Sequence, residues 1–425
     1  MSREEGGPHA EAVKEIEVDP RLPDILDLGF PDGGLRAWLV VFGCACICGS
    51  TFGFVNSWGA FQSYYEHNIL QDRSPSNIAW IGSIQYSLTF FPALLVGRLF
   101  DLGWFRAPLL SASCTMVAAT FLTAECKAYW HFLLCQGIAI GLCSGVIYGP
   151  CLGVLSHWFK GRLSTVLGVV AGGSSIGGTL FPIVFRNLVV KIGFPWTMRV
   201  LGFMLMTTLG VANLTVARRL PPVNASGGML NLKAFRSTKF SVYTSTGFFA
   251  FLGLYTVLTY IDPSATADGV PETFSFYLVS IANAGSFFGR IGGGILADRI
   301  GPINVMAPFT AVAAVLTMIW PFVHGKSAFV AIAIVYGMSS GAYVSLIAAP
   351  MIAFGETDDV GRRTGMFLTV LAVGALSGPP ISGAINAATQ NYKAVGVYAG
   401  SMIFVSVALL WVTKYLVIGR FGGKL

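Results

Sequence analysis

The sequence predicts an all-α membrane protein of twelve transmembrane helices in two six-helix bundles, and three observations predict it. Apolar residues make up 54% of the 425-residue chain and charged residues only 11%, where a soluble domain carries about 25% charged residues. Mean hydropathy is +0.68. About twelve apolar runs bounded by charges or Pro/Gly turns are each long enough, at 1.5 Å per residue, to cross a bilayer. Short sequences also recur at a fixed offset in the two halves. Outside the runs there is no stretch long enough for a large soluble catalytic domain.

The runs fall at 36–58, 77–97, 107–125, 130–153, 163–185, 196–217, 240–261, 274–297, 303–323, 328–353, 364–388 and 395–417. Residues 1–35 are acidic (Glu4, Glu5, Glu11, Glu15, Glu17, Asp19) with no basic segment ahead of a short apolar core, so they read as a disordered cytoplasmic tail and not as a signal peptide. An even number of crossings puts both ends on one side. Of the 27 Lys and Arg residues, 19 fall in the tails and even-numbered loops and seven in the odd-numbered loops, which places both termini in the cytoplasm. The formal net charge of +7 is therefore a topology signal and not a nucleic-acid footprint.

The longest internal break, residues 218–239, is basic and contains Pro and Gly. It reads as a cytoplasmic linker between an N-terminal bundle (36–217) and a C-terminal bundle (240–417), followed by a short cytoplasmic tail (418–425). The acceptor pattern Asn224-Ala-Ser226 falls on the cytoplasmic side and is not expected to be glycosylated. All eight cysteines lie in the first half. Cys44, Cys46 and Cys48 cannot share one helix face, so apolar filling is expected of the cysteines, with no disulfide framework and no metal site.

The internal repeat joins the two halves. Gly97-Arg-Leu-Phe-Asp101-Leu-Gly103 after the second run answers to Gly294-Ile-Leu-Ala-Asp298-Arg299-Ile-Gly301 after the eighth, an offset of 197 at Gly and Asp. Gly141-Leu-Cys-Ser-Gly145 recurs as Gly337-Met-Ser-Ser-Gly341 at offset 196. Parallel halves of six spans with a ligand held near the midplane between them are the plan of an alternating-access transporter.

The candidate site follows from a single charge. From Thr273 to Ala297 the eighth run carries only Arg290, and an arginine at that depth costs roughly 2.5–3.5 kcal/mol, so a wet cavity or a partner is expected around it. The nearest acids in sequence, Glu272 and Asp298, lie at or beyond the ends of the run. A guanidinium without a fixed acid presents a planar fork of donors suited to a carboxylate. The competing structural role is snorkelling to the interface or bonding to helix carbonyls. Asn56, Asn283 and Ser286 are the favoured polar companions. Tyr148, Tyr260, Tyr336 and Tyr343 are further substrate-facing candidates, because a buried hydroxyl needs a partner. The many glycines read as helix-packing sites, since none forms a phosphate-binding Gly-x-x-x-x-Gly-Lys-Ser/Thr loop. No His-Glu-x-x-His, Gly-x-Ser-x-Gly elbow or mid-span carboxylate pair supports catalysis, so no enzyme, cofactor or metal is expected.

These residues resemble the major facilitator superfamily, whose loop after the second span carries Gly-x-x-x-Asp-(Arg/Lys)-x-Gly. The copy at Gly294–Gly301 matches well, and the copy at Gly97–Gly103 lacks the basic residue and one spacer. Pro31-Asp32-Gly33-Gly34, Trp158-Phe159-Lys160-Gly161-Arg162-Leu163 with Gly168 to Ser174, and Gly378-Pro379-Pro380-Ile-Ser-Gly383 are similar to signatures of the monocarboxylate porter branch. Asn56-Ser-Trp-Gly-Ala-Phe-Gln-Ser-Tyr-Tyr65 is closest to its fungal members. Resemblance to the animal members of the branch would imply a lysine near Asn56 and an aspartate at Ser286, and neither is present here. Lactate or pyruvate transport therefore does not carry over.

The resemblance implies a secondary active transporter in the plasma membrane, moving a small organic anion, monocarboxylate-like or carboxylate-bearing, with a proton as candidate coupling ion. The alternatives are an efflux pump for a fungal secondary metabolite and, more remotely, a non-transporting receptor on a transporter scaffold. The aspartates of the repeat each end a helix, where the macrodipole disfavours negative charge. Each is expected to lie against a helix N-terminus of the other half: Asp101 against the eleventh span with Arg363, and Asp298 against the fifth with Arg162. Together with Gly97, Gly294, Arg299 and Gly301 they would form a conformational latch.

Overall fold

The computed structural model describes residues 31–220, 232–354, 360–420 and 422–424. Twelve spans are helical among the described residues: α1 (Leu35–Ile69), α2 (Asn77–Asp101), α3 (Arg106–Thr123), α4 (Tyr129–Trp158), α5 (163–192), α6 (194–215), α7 (Thr238–Ala267), α8 (Tyr277–Ile300), α9 (Pro302–Ile319), α10 (Lys326–Met351), α11 (Arg362–Thr389) and α12 (Tyr392–Ile418). Large apolar side chains such as Leu214, Leu122 and Phe42 point outward and stay exposed. In a bilayer that belt faces lipid, whose tails are as apolar as leucine.

Two departures from the hydropathy reading have a local reason. α1 runs on to Ile69 although its apolar run ends at 58. Its last turns are held by a chain of side-chain bonds: Trp58 Nε1 donates to Gln62 Oε1 (2.7 Å) and Gln62 Nε2 to Glu66 Oε1 (2.8 Å). Contacts of this i,i+4 kind extend a helix past the apolar layer. α5 and α6 meet without a loop. The chain turns at Gly193, whose φ of 76° suits a residue without Cβ. The 218–239 linker contains a short 3₁₀ turn, Leu232–Arg236, whose Phe235 ring packs on Phe240 of α7 at 5.1 Å. Asn224 and Ser226, and most of the N-terminal tail, lie outside the described residues.

Glycines set how closely the helices approach. A Cβ on Gly289 would meet the Met338 carbonyl oxygen at 2.0 Å, and one on Gly337 the Ala282 carbonyl oxygen at 2.0 Å, so α8 and α10 pack backbone to backbone inside the C-terminal bundle. Gly53 and Gly177 do the same for α1 and α5. Backbone approach of this sort replaces the hydrophobic drive that is missing in lipid.

The two halves meet along two seams, α5 on α8 and α11 on α2. These are equivalent pairs under the repeat. In the first seam a Cβ on Gly168 would lie 2.3 Å from the Arg290 carbonyl oxygen, and one on Gly294 2.5 Å from that of Ser164. In the second, a Cβ on Gly365 would lie 2.5 Å from the Ala93 carbonyl oxygen.

α1 and α7, the first span of each half, are both interrupted mid-course. α1 passes through a π-helical turn at Gly49–Gly53 and breaks at Asn56 and Ser57, and α7 breaks at Leu254 and Tyr255. The breaks stand 198 residues apart, so the repeat extends to them. Irregular backbone at membrane depth is tolerated where it lines a cavity or is buried in protein.

Candidate functional site: a cavity at the seam of the two halves

Both helix breaks open onto one cavity, bounded by Asn56 of α1, Tyr255 of α7, Asn283, Ser286 and Arg290 of α8, and Ser340 of α10. Leu254, Leu258 and Val344 supply apolar wall. Sequence placed Asn56, Asn283, Ser286 and Arg290 on two distant spans, and the fold brings all four to this cavity.

Arg290 is 7% exposed. Its Nε donates to Ser286 Oγ at 2.9 Å and its Nη1 to the Ala171 carbonyl oxygen of α5 at 3.0 Å. The side chain therefore joins the two halves as well as lining the space between them. Among the described residues these are its only hydrogen bonds, so three of the five N–H donors of this cavity-lining side chain are not taken up by them. No carboxylate lines the cavity among the described residues. The hydroxyl-bearing rings of Tyr255, Tyr148 and Tyr86, and the thiol of Cys48, stand close enough to interact with the guanidinium. Asn283 Nδ2 donates to the Val279 carbonyl oxygen at 3.1 Å, and its side chain abuts Gly178 of α5. Its amide spans the same seam as Arg290.

The tyrosine candidates divide. Tyr148 is half-buried with its ring edge-on to Phe52 at 4.7 Å, and it is not among the residues lining the cavity. Tyr336 is fully buried and donates its hydroxyl to the Leu254 carbonyl oxygen, so it satisfies an acceptor freed by the α7 break and does not line the cavity. Tyr343 is fully buried beside Thr246 and Ser406, inside the C-terminal bundle. Tyr260 packs on Tyr392 at 6.1 Å, about one and a half turns of α7 beyond the break. Hydroxyl burial alone did not separate a structural acceptor partner from a ligand partner. Sequence reading also passed over Tyr255. Its signal was the repeat, since the neighbouring Leu254 answers to Asn56.

On the side of the molecule that carries the termini, the seam is fastened by Asp298. Its Oδ1 accepts from the backbone N–H of Ser164 and its Oδ2 from that of Thr165, both at 2.9 Å. These are the second and third residues of α5, whose own N-cap position is Arg162 with no capping side chain. A carboxylate from the other half thus does the work of an N-cap, an interaction worth about 1 kcal/mol. The expected arginine partner is not used. Arg162 and Arg299 are exposed, and among the described residues neither forms an ion pair with Asp298. Two backbone donors at a helix start already satisfy both carboxylate oxygens.

Gly301 ends α8 with φ 98°, and its repeat counterpart Gly103 has φ 94°. Both copies of the motif therefore turn the same way despite the missing spacer. Gly97 and Gly294 are both buried, Gly294 at the α5–α8 seam. In the first copy Asp101 is buried beside Arg218 of its own half, whose guanidinium stacks on Phe100 at 4.5 Å. Arg363 is buried near the start of α11. Residues 355–359, which lead into that helix, lie outside the described residues.

The two short motifs near the fifth span meet in space. Asp32 Oδ1 accepts from the backbone N–H of Lys160 (2.7 Å) and Gly161 (2.9 Å), clamping the segment before α1 to the turn that leads into the Asp298 donors. At the opposite end of the same seam Arg186 of α5 lies over the Phe276 ring of the C-terminal half at 4.3 Å and faces Asp262. The α5–α8 seam is therefore held at both ends with the cavity between.

Residues 38–355 match the Major Facilitator Superfamily profile. The chain is 32% identical to the Aspyridones efflux protein apdF of Emericella nidulans over 390 residues, 91% of this chain and 79% of that protein. It is 33% identical to the Fujikurins efflux protein of Gibberella fujikuroi over 413 residues, 96% of this chain and 89% of that protein. These relatives are named for efflux and not as monocarboxylate porters. Among solved structures, the human organic anion transporter MFSD10 (TETRAN) superposes with a TM-score of 0.70 over 89% of this chain and 100% of that one, at 14% identity, a likeness of fold. Twelve helices in two repeat-related bundles, a cavity at their seam and a profile match across three quarters of the length lead to one assignment: the chain belongs to the Major Facilitator Superfamily, as an integral multi-pass membrane transporter and not an enzyme.

Proposed function

We propose that this transporter exports a small organic anion of secondary-metabolite type, binding its acidic group at Arg290. The observation that carries the anion is a buried guanidinium facing a cavity between the halves with no carboxylate among the described lining residues. The direction is supported by the efflux names of relatives at 32% and 33% identity over nine-tenths of the chain, which favour export over uptake of a monocarboxylate-like nutrient. Asn56, Asn283 and Ser286 orient the ligand. The proposed moving bodies are residues 36–217 and 240–417. The membrane is the plasma membrane, with the termini in the cytoplasm by the lysine and arginine distribution.

The arrangement suggests how binding couples to movement. One donor of Arg290 holds the Ala171 carbonyl oxygen across the seam. An anion in the cavity competes for the guanidinium and weakens that bond, so ligand and seam draw on the same side chain. The ligand then has a differential affinity for the two access states, which any ligand-driven shift requires.

Reconstitution tests the function: protein in liposomes is offered a panel of organic acids together with their amides or alcohols. Flux of acids and not of their neutral counterparts is expected. Flux of neutral compounds alone would overturn the anion reading. For the topology, an impermeant thiol reagent applied to intact cells should spare a cysteine placed at Arg420 and label one placed at Asp72. The reverse pattern would invert the orientation.

The Asp298 latch gives a further expectation. Asp298→Asn keeps an acceptor and loses the charge, and a change of about 1 kcal/mol shifts the balance of access states about fivefold. Transport should slow while equilibrium binding is retained, measured by flux and by ligand titration on the same preparation. Unchanged flux together with unchanged state populations would remove the latch.

A further inference from the structure

The charge at Arg290 says little about the rest of the ligand, but the rings around it say more. Six aromatic side chains from both halves form one connected cluster. Tyr148 contacts Phe52 at 4.7 Å, Phe52 contacts Phe90 at 5.2 Å, and Phe90 reaches across to Phe251 at 5.5 Å. Tyr86 meets Tyr255 at 4.4 Å, again across the halves. Tyr255 is the member at the cavity wall, which it shares with Arg290. Tyr86 is 6% exposed, and its hydroxyl lies toward that of Tyr255.

The charge count narrows the ligand. Arg290 is the one cation among the described lining residues, and two of its donors are already engaged. The remaining polar lining is uncharged: Asn56, Asn283, Ser286, Ser340 and Tyr255. A compact, strongly hydrated anion would lose its water here and meet only one partly occupied guanidinium, which does not offset the desolvation. An anion whose single charge is spread over several oxygens holds its water less tightly. Its dispersed acceptors would match dispersed neutral donors. Ring faces and edges in turn favour a flat partner, through offset or edge-on contact.

We propose that the Arg290 cavity is built for a planar, conjugated monoanion, an aromatic carboxylate or an enolate delocalised over a conjugated ring. The proposal rests on the anion reading above and deepens it. It separates this site from one for small aliphatic acids: Tyr255, backed by the ring cluster, selects flatness, while Arg290 selects charge.

The test uses four probes on the purified full-length protein in lipid nanodiscs, with affinities from isothermal titration: 2-naphthoate, decahydro-2-naphthoate, 2-naphthalenemethanol and acetate. The flat acid should bind about fivefold to tenfold tighter than its saturated counterpart, the margin expected of aromatic contacts. The alcohol and acetate should bind more weakly still. Tyr255→Leu should bring the two naphthalene-skeleton acids to equal affinity, and Phe52→Leu should narrow the gap should Tyr255→Leu fail to fold. Equal binding of the flat and saturated acids by the wild-type protein overturns the planarity proposal while leaving the anion site standing. Equal binding of 2-naphthalenemethanol and 2-naphthoate overturns the anion site itself. Failure of 2-naphthoate to bind at all overturns the planar class.

Discussion

Arg290→Ala is expected to weaken substrate binding at least tenfold and to stop measurable transport, in a protein that still folds and inserts. Loss of a hydrogen bond to a charged partner costs about 1.5–3 kcal/mol, or about tenfold to a hundredfold in affinity. Arg290→Lys keeps the charge and loses the planar fork, so an intermediate loss is expected. The fold should survive because the guanidinium holds only one hydroxyl of its own helix and one carbonyl of α5, while α8 is fixed by backbone packing against α10. Ligand titration on protein of verified thermal stability reads the outcome. Unchanged affinity in Arg290→Ala would leave the arginine with only its seam bond and remove it from the site.

Gly168→Ala should disturb the balance between access states more than any change at the exposed end of the latch. The added methyl would sit 2.3 Å from the Arg290 carbonyl oxygen on the facing half. Overpacking of this kind costs roughly 1–3 kcal/mol, and two bodies that move apart can relieve it by separating. The expected result is a shift toward the state open on the terminal side, with slowed transport and a near-normal unfolding temperature. Gly289→Ala is the contrasting case. Its methyl would meet the Met338 carbonyl oxygen at 2.0 Å within one bundle, where α8 and α10 cannot part, so stability should fall instead. Spin labels at the exposed positions Arg162 and Arg299 report the separation, and thermal unfolding reports the fold. A Gly168→Ala protein with an unshifted label distance would show that the α5–α8 seam does not open.

Much of this was legible in the chain because the bilayer imposes long apolar runs and because the repeat ties one half to the other. The one charge of the eighth run led directly to the cavity, and Asn56, Asn283 and Ser286 followed as polar residues in apolar runs. The docking of Asp298 on the start of α5 was legible from the macrodipole. Its arginine partner was not, since backbone N–H groups leave no trace in side-chain identity. The breaks in α1 and α7 carry no proline. Leu254 and Tyr255 look like ordinary helix residues, and only the 198-residue repeat links them to Asn56. Tyr336 and Tyr343 show the converse. A hydroxyl in an apolar run needs a partner, but whether that partner is a kinked helix carbonyl, as for Tyr336 on Leu254, or a ligand depends on packing between spans distant in sequence.

The most direct test of the central claim follows the cargo in the cell that carries the gene. Anionic small molecules are measured inside the cell and in the medium, with the gene intact, deleted, and restored as wild type or as Arg290→Ala. On this account deletion moves at least one anionic metabolite from the medium into the cell, wild type returns it to the medium, and Arg290→Ala does not. A metabolite that instead disappears from the cell on deletion would contradict export, and full restoration by Arg290→Ala would contradict the arginine site.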